Sequence, residues 1–176
     1  LYPKLNMLVQ GEPSLHLIHY PLSSLVTAVM VACFGGGYDV WGRFQAVVFF
    51  SLAAFWLFRL VRLLMDEKVA WGALIFFILC PLTIIYGQSF QSEMITVFSS
   101  IFFFYHLFYF LNTQRLRNLL FASLALAVVL LARPNALYLV LPALYLCRPA
   151  DGSGESFSKR FYRISLVFLT ASVIPF

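Results

Sequence analysis

The sequence is poor in charge and lacks the short motifs that mark many soluble catalytic sites. Only 11% of its 176 residues are Asp, Glu, Lys or Arg, against about a quarter in soluble domains. It contains no Gly-rich phosphate loop, no Cys-x-x-Cys pair and no Asn-x-Ser/Thr sequon. Its cysteines, Cys33, Cys80 and Cys147, are scattered in or beside apolar stretches. Their spacing indicates small apolar residues rather than a metal or redox site.

Apolar residues dominate the composition. They make up 62% of the chain, and the mean hydropathy is +0.89. A soluble fold of this size could not bury so much apolar surface, so the solvent around it must be lipid. The net charge of +5 does not indicate nucleic-acid binding, because the basic residues lie between apolar runs, as the positive-inside rule predicts.

Three apolar stretches are long enough to span a bilayer: Phe44–Met65, Val69–Tyr86 and Met94–Leu111. A further run begins at Ile164 and continues to Phe176. The chain starts at Leu1 and stops within this run, so we expect a segment of a longer protein. The predicted fold is all-α and membrane-embedded, a polytopic bundle with about six to seven membrane-embedded helices. Residues 1–42 are expected to form an external loop with a short interfacial helix, and residues 43–176 the transmembrane bundle.

The short interfacial helix is predicted at Pro21–Phe34. This apolar stretch opens with a proline, is followed by Gly35-Gly36-Gly37, and its length of about 14 residues suits an interfacial or re-entrant helix better than a span.

A helical hairpin is predicted over residues 119–132 and 134–147, with Arg133-Pro134 between its arms. One unbroken helix would place Arg133 near the bilayer centre, at a cost of about 2.5–3.5 kcal/mol. The hairpin also gathers most basic residues on one side, as expected for the cytoplasmic side. These are Arg59, Arg62, Lys68, Arg115, Arg117, Arg148, Lys159, Arg160 and Arg163. Candidate functional residues are then expected on the external side.

Glu93 and Arg133 are the strongest candidates for chemistry. Glu93 begins a predicted span, where the helix dipole stabilises a carboxylate; it is either a simple helix-start acid or an acid lining an outward cavity. Arg133 stands at a helix break, and irregular backbone at membrane depth is tolerated where it lines a cavity or is buried in protein. Its guanidinium either binds a phosphate bidentately or snorkels to the interface.

Weaker candidates lie in the same external regions. His16 and His19 are three residues apart and could share a helical face, but two ligands alone are weak evidence for a metal and polar interface residues would look the same. Arg43 precedes a span, where an arginine commonly anchors a helix to headgroups. Gln91 lies in the external connector before Glu93.

Read in order, several short segments resemble motifs of GT-C integral-membrane glycosyltransferases of the protein-O-mannosyltransferase and aminoarabinose-transferase type, which are glycosyltransferase family 39-like. None is specific alone, and their order and spacing over about residues 3–145 carry the resemblance. The segments are His19-Tyr20-Pro21-Leu22, Gly37 with Trp41-Gly42-Arg43, Phe58-Arg59-Leu60-Val61-Arg62, Cys80-Pro81, Ser92-Glu93-Met94 and Leu131-Ala132-Arg133-Pro134.

The resemblance implies an enzyme that transfers a sugar from a polyprenyl-phosphate-linked donor to an acceptor on the external face. It implies Glu93 as a catalytic acid and Arg133 with His19 at the donor phosphate, while Arg43, Gln91 and His16 are supporting candidates. The departures are Tyr20 for a proline, Glu93 for the commoner Asp and Arg133 for Lys. The family's first external acidic motif has no convincing counterpart, since Glu12 is a poor substitute, so we expect this segment to lack it.

The expected partners are the lipid bilayer, the sugar donor and an acceptor that is a lipid, a glycan or a protein. The expected location is the plasma (inner) membrane, or the ER membrane in a eukaryote. A divalent metal is left open, because some relatives use one and others do not. A secondary transporter or flippase, with Arg133-Pro134 as a broken-helix site, and a non-catalytic membrane subunit are the alternatives. Sugar, acceptor and oligomeric state are not specified by the sequence.

Overall fold

The computed structural model describes residues 8–9, 12–13, 22–88, 93–133, 139 and 142–143. Two-residue strands β1 (Leu8–Val9) and β2 (Glu12–Pro13) pair antiparallel, with Val9 opposite Glu12. The remaining elements are helices: α1 (Leu22–Phe34), α2 (Tyr38–Leu64), α3 (Glu67–Leu79), α4 (Pro81–Gln88), α5 (Glu93–Thr113) and α6 (Leu116–Ala132). The predicted helical membrane fold is confirmed over these residues.

Fewer spans are found than the sequence predicts. In the described part of the chain α2 and α5 are long and apolar enough to cross a membrane, and α3 with α4 form a third span if the bent pair is counted as one. Helices α1 and α6 are apolar but shorter, at 13 and 17 residues. The second arm of the predicted hairpin, 134–147, and the run 164–176 lie outside the described residues, apart from positions 139, 142 and 143.

The stretch 69–86, predicted as one span, is divided at Cys80. Helix α3 ends at Leu79, α4 begins at Pro81, and their axes differ by 61°. Pro81 has no backbone N–H to donate, and its ring clashes with the carbonyl one turn earlier. Cys80, which precedes it, is extended with φ −63° and ψ 122°. A proline inside an apolar run therefore bends this segment.

Helix α1 is hydrogen-bonded to the N-terminal end of α2. The buried Thr27 hydroxyl lies 2.8 Å from Gln45 Oε1, and Tyr38 Oη donates to the Ser24 carbonyl at 2.8 Å. The turn between the helices uses Gly35 and Gly36, whose φ values are +71° and +93°. Trp41 Nε1 donates back to the Gly35 carbonyl at 2.5 Å. Together these contacts determine the position of the short helix.

Helices α5 and α6 form the core of the described bundle. Phe103 and Leu107 of α5 and Leu126 and Val129 of α6 are fully buried. Alanines on α6, including Ala122, Ala125 and Ala132, are also buried. Small residues allow the helix backbones to approach closely in membranes, where van der Waals packing drives association.

Ring contacts establish the helix directions. Phe49 of α2 lies 5.5 Å from Phe98 of α5, and further along both helices Trp56 lies 4.8 Å from both Phe102 and Tyr105. Helices α2 and α5 therefore run parallel, so their first residues lie at one end of the bundle. Helix α6 returns antiparallel to α5, which brings its C-terminal end back to that end.

Large apolar side chains cover the outside of α2, α3 and α6. Phe55 is 53% exposed, Phe76 76% and Leu120 62%. Such surface is unfavourable in water and is satisfied by lipid tails. The exposed aromatic and aliphatic residues agree with the membrane environment that the composition indicates.

Candidate functional site

Glu93 and Arg133 meet at the end of the bundle where α5 begins and α6 ends. Arg133 Nη2 donates a hydrogen bond to Glu93 Oε1, joining positions 40 residues apart. Glu93 is the first residue of α5, and Arg133 is the C-cap of α6, with φ −146° and ψ 105°. Because the two helices are antiparallel neighbours, the start of one lies beside the end of the other.

The dipoles of α5 and α6 stabilise the charges of Glu93 and Arg133 at this end of the bundle. A helix N-terminus carries partial positive charge and stabilises a carboxylate such as that of Glu93. A C-terminus carries partial negative charge and stabilises a cation such as Arg133. The side chains are 22% and 37% exposed, so they are partly shielded from solvent and the ion pair is charge-assisted.

The pair leaves hydrogen-bonding capacity unused. Glu93 Oε2 and Arg133 Nε are buried atoms that have no hydrogen-bond partner within the described part of the chain. Buried polar atoms are normally satisfied by protein, water or a ligand. Within the described residues the ion pair therefore retains one carboxylate acceptor and one guanidinium donor, which suits a ligand that carries both hydroxyl and phosphate groups.

Of the remaining candidate residues, Arg43 alone lies in the part of the chain that the structure describes. Arg43 is exposed near the start of α2, six residues before Phe49, which contacts Phe98 of α5. The parallel arrangement puts Arg43 at the same end of the bundle as Glu93. Across residues 22–88 and 93–133 it forms no ion pair. His16, His19 and Gln91 lie outside the described residues.

Nothing in the described residues forms a group of three or more His, Cys, Asp or Glu side chains that could hold a metal. Helix α1 begins three residues after His19, and that helix packs against the end of α2 that carries Arg43. The roles of the candidate residues remain predictions.

His106 is a buried polar residue that the sequence interpretation missed. It is 7% exposed, its Nδ1 lies 3.3 Å from Asn118 Oδ1 across the α5–α6 interface, and its Nε2 is buried without a partner among the described residues. Rings of Trp56, Phe102 and Phe121 lie 4.3–5.4 Å from its centroid. The sequence feature that could have identified it is a single histidine within the apolar run that forms α5. Thirteen residues along α5 place it about 20 Å from Glu93, away from the ion pair.

The fold and the site define a multihelical membrane protein with an ion pair at one end of its bundle. The chain matches the dolichyl-phosphate-mannose-protein mannosyltransferase family over residues 18–176. It belongs to this family of membrane glycosyltransferases, which confirms the GT-C-like resemblance. No curated protein and no solved structure matches the chain.

Proposed function

We propose that this protein transfers a sugar from a polyprenyl-phosphate-linked donor to an acceptor on the external face of the membrane. Membership of the mannosyltransferase family supports the reaction class. The observation that carries the assignment of the site is the Arg133–Glu93 hydrogen bond, which brings together the two residues singled out by the sequence. Mannose is the sugar that the family name favours.

In this proposal Arg133 binds the donor phosphate. Glycosyl transfer breaks the bond between the sugar and the phosphate oxygen, so negative charge increases on the phosphate as the bond breaks. A planar guanidinium at the membrane boundary stabilises that charge more strongly than it would in water. Nη2 is engaged by Glu93, and Nε, which has no partner among the described residues, offers a further donor on the same planar group.

Glu93 has two tasks in the proposed site. Its Oε1 orients Arg133, and its Oε2, which has no partner within the described part of the chain, accepts a hydrogen bond from a hydroxyl of the acceptor or the sugar. A carboxylate in contact with the acceptor hydroxyl removes its proton as the new bond forms at the sugar carbon. The proton then resides on the carboxyl group, and the electron pair of the broken bond leaves with the phosphate.

The distribution of basic residues supports an external site. Helices α2 and α5 run parallel, so Arg59 and Arg62 of α2 lie toward the same end as Arg115 and Arg117, which follow α5. Glu93 begins α5 at the other end. The positive-inside rule makes the basic end cytoplasmic and the end with the ion pair external. The plasma (inner) membrane, or the ER membrane in a eukaryote, is the proposed location.

The test is sugar transfer by full-length protein in lipid nanodiscs, with radiolabelled polyprenyl-phosphate mannose as donor. We expect Arg133→Ala to reduce transfer by about 10²–10³-fold, as for the loss of a charge-stabilising donor. Arg133→Lys, which introduces the residue commoner in the resembling family, should reduce it less than Arg133→Ala, because the positive charge at the phosphate is retained. Arg117→Gln is the matched control, an exposed arginine at the opposite end, and should change the rate less than about twofold.

A charge exchange separates a reactive site from a structural ion pair. The double variant Glu93→Arg with Arg133→Glu can form the pair again, so folded yield and thermal stability should exceed those of either single variant, while both helix dipoles keep them below the native values. Sugar transfer should stay lost, because the cation and the base have changed places. Recovery of transfer in the double variant would show that the pair is only structural. Uptake of substrate into liposomes without any sugar transfer would favour the transporter alternative.

A further inference from the structure

An open groove of about 380 Å³ lies between α2 and α3. It is lined mainly by apolar and aromatic side chains, and its volume falls in the range of small-molecule sites. The lining residues are Phe50, Ser51, Ala54, Phe55, Phe58 and, on α3, Trp71, Leu74 and Ile78.

The groove follows from residue sizes on antiparallel helices. The nearly buried Ala54 leaves space between the bulky residues on either side of it. Phe58 packs on Trp71 at 5.0 Å between ring centroids, and toward the other end of the groove Phe50 stacks on Phe77 at 5.6 Å. Aromatic contacts between the two helices thus lie toward both ends of the groove, whose lining is mainly apolar.

A cation lies at the Phe58 end of this groove. The Arg59 guanidinium carbon is 5.7 Å from the ring centroid of Phe55, a wall residue, and 5.9 Å from that of Trp56. Arg62, one turn further along, pairs with Glu67 at 3.4 Å. Within the described ranges Arg59 forms no ion pair. It is five residues, about 8 Å, from the end of α2, so it lies near headgroup depth.

We propose that the α2–α3 groove binds a phospholipid with an anionic headgroup, whose acyl chain lies in the groove and whose phosphate contacts Arg59. The apolar lining matches the chain, and the cation beside Phe55 matches the headgroup charge. The site lies toward the opposite end of α2 and α5 from the Glu93–Arg133 pair, since Trp56 is level with Phe102 and Tyr105. It is therefore distinct from the proposed donor site and belongs to the other leaflet.

The test measures lipid retained by the full-length protein, using native mass spectrometry after purification. Phosphatidylglycerol and phosphatidylcholine with identical acyl chains are the probes, because only the first has a net negative headgroup. We expect Arg59→Gln to lower phosphatidylglycerol retention about tenfold, as for the loss of one charge-assisted contact. Lys68→Gln removes an exposed charge at the same end of the helices without altering the groove, and should change retention less than about twofold.

A second variant, Ala54→Leu, fills the floor of the groove and should displace both lipids while leaving Arg59 in place. If that variant does not fold, the proposal is tested by phosphatidylglycerol retention in Arg59→Gln and Lys68→Gln. Equal retention of the two lipids by the native protein would overturn the proposed headgroup recognition. Equal effects of Arg59→Gln and Lys68→Gln would overturn the role of Arg59. Failure of the native protein to retain either lipid would overturn the proposed lipid site.

Discussion

At the residue scale, two pairs of polar side chains have different surroundings. Glu93 and Arg133 lie at a bundle end, partly exposed and with atoms that have no hydrogen-bond partner among the described residues. His106 and Asn118 are both buried, within the α5–α6 interface. A site that must admit a charged donor requires access, whereas a buried polar pair can serve packing and helix register.

The His106–Asn118 contact should contribute to stability and not to catalysis. Asn118→Ala removes the partner of His106 Nδ1, and we expect a loss of about 1 kcal/mol, within the range measured for polar contacts between membrane helices. The measurement is the free energy of unfolding in mixed detergent micelles, together with transfer activity per folded molecule. Asn112→Ala, the same substitution at an exposed position on α5, is the control and should change stability less. A large fall in activity at full folding would show that the pair participates in function.

At the element scale, two short breaks determine how the helices are arranged. Pro81 divides the apolar stretch 69–86 into α3 and α4, and the turn at Gly35-Gly36 reverses the chain between α1 and α2. Gly87 of α4 lies so close to α2 that an added Cβ would come within 3.1 Å of Phe50. The bent segment therefore packs back on α2 instead of continuing straight through the bilayer.

The turn between α1 and α2 should require glycine at position 36. Its φ is +93°, and an added Cβ would lie 3.1 Å from Trp41 Nε1, so Gly36→Ala should destabilise the protein by about 1–2 kcal/mol. Gly72→Ala is the matched control on α3, where an added Cβ meets nothing within 4 Å, and should be neutral or stabilise by up to about 1 kcal/mol. Thermal unfolding of both variants checks the prediction. Equal effects would contradict it.

At the scale of the whole molecule, the bundle has two chemically different ends. One end holds the ion pair, with Arg43 at a similar level, and the other holds the basic connectors and the Arg59 groove. Sugar transfer and lipid binding, as proposed here, therefore use opposite leaflets. This arrangement depends on the parallel course of α2 and α5, since an antiparallel course would mix the two sets of cations.

The orientation can be measured by labelling single cysteines with a membrane-impermeant maleimide, after replacement of Cys33, Cys80 and Cys147. Asp39→Cys at the start of α2 should react from the external side of intact cells, because it lies at the end with the ion pair. Met65→Cys and Thr113→Cys, at the ends of α2 and α5, should react only after permeabilisation. The reverse pattern would place Glu93 and Arg133 on the cytoplasmic side and contradict an external reaction.

The amino-acid sequence alone determined the membrane character, the helical class and most helix positions. These features follow from the hydropathy of the chain and from the positions of glycine and proline, each of which influences structure over only a few residues. The helix end at Arg133 was predictable because a proline follows it. Glu93 could be identified as a candidate because it begins a predicted span. The mannosyltransferase-type resemblance likewise came from short segments in order along the chain, and the family match confirms it.

Only the tertiary structure decided which of these residues meet. The Arg133–Glu93 hydrogen bond, the parallel course of α2 and α5, the 61° bend and the position of Arg59 beside an apolar groove all depend on packing between helices. Packing is set by the complementary shapes of side chains far apart in the chain, such as Trp56 with Tyr105. Local periodicity carries no information about those contacts, because it reports which face of a helix is apolar and not which neighbour will cover it.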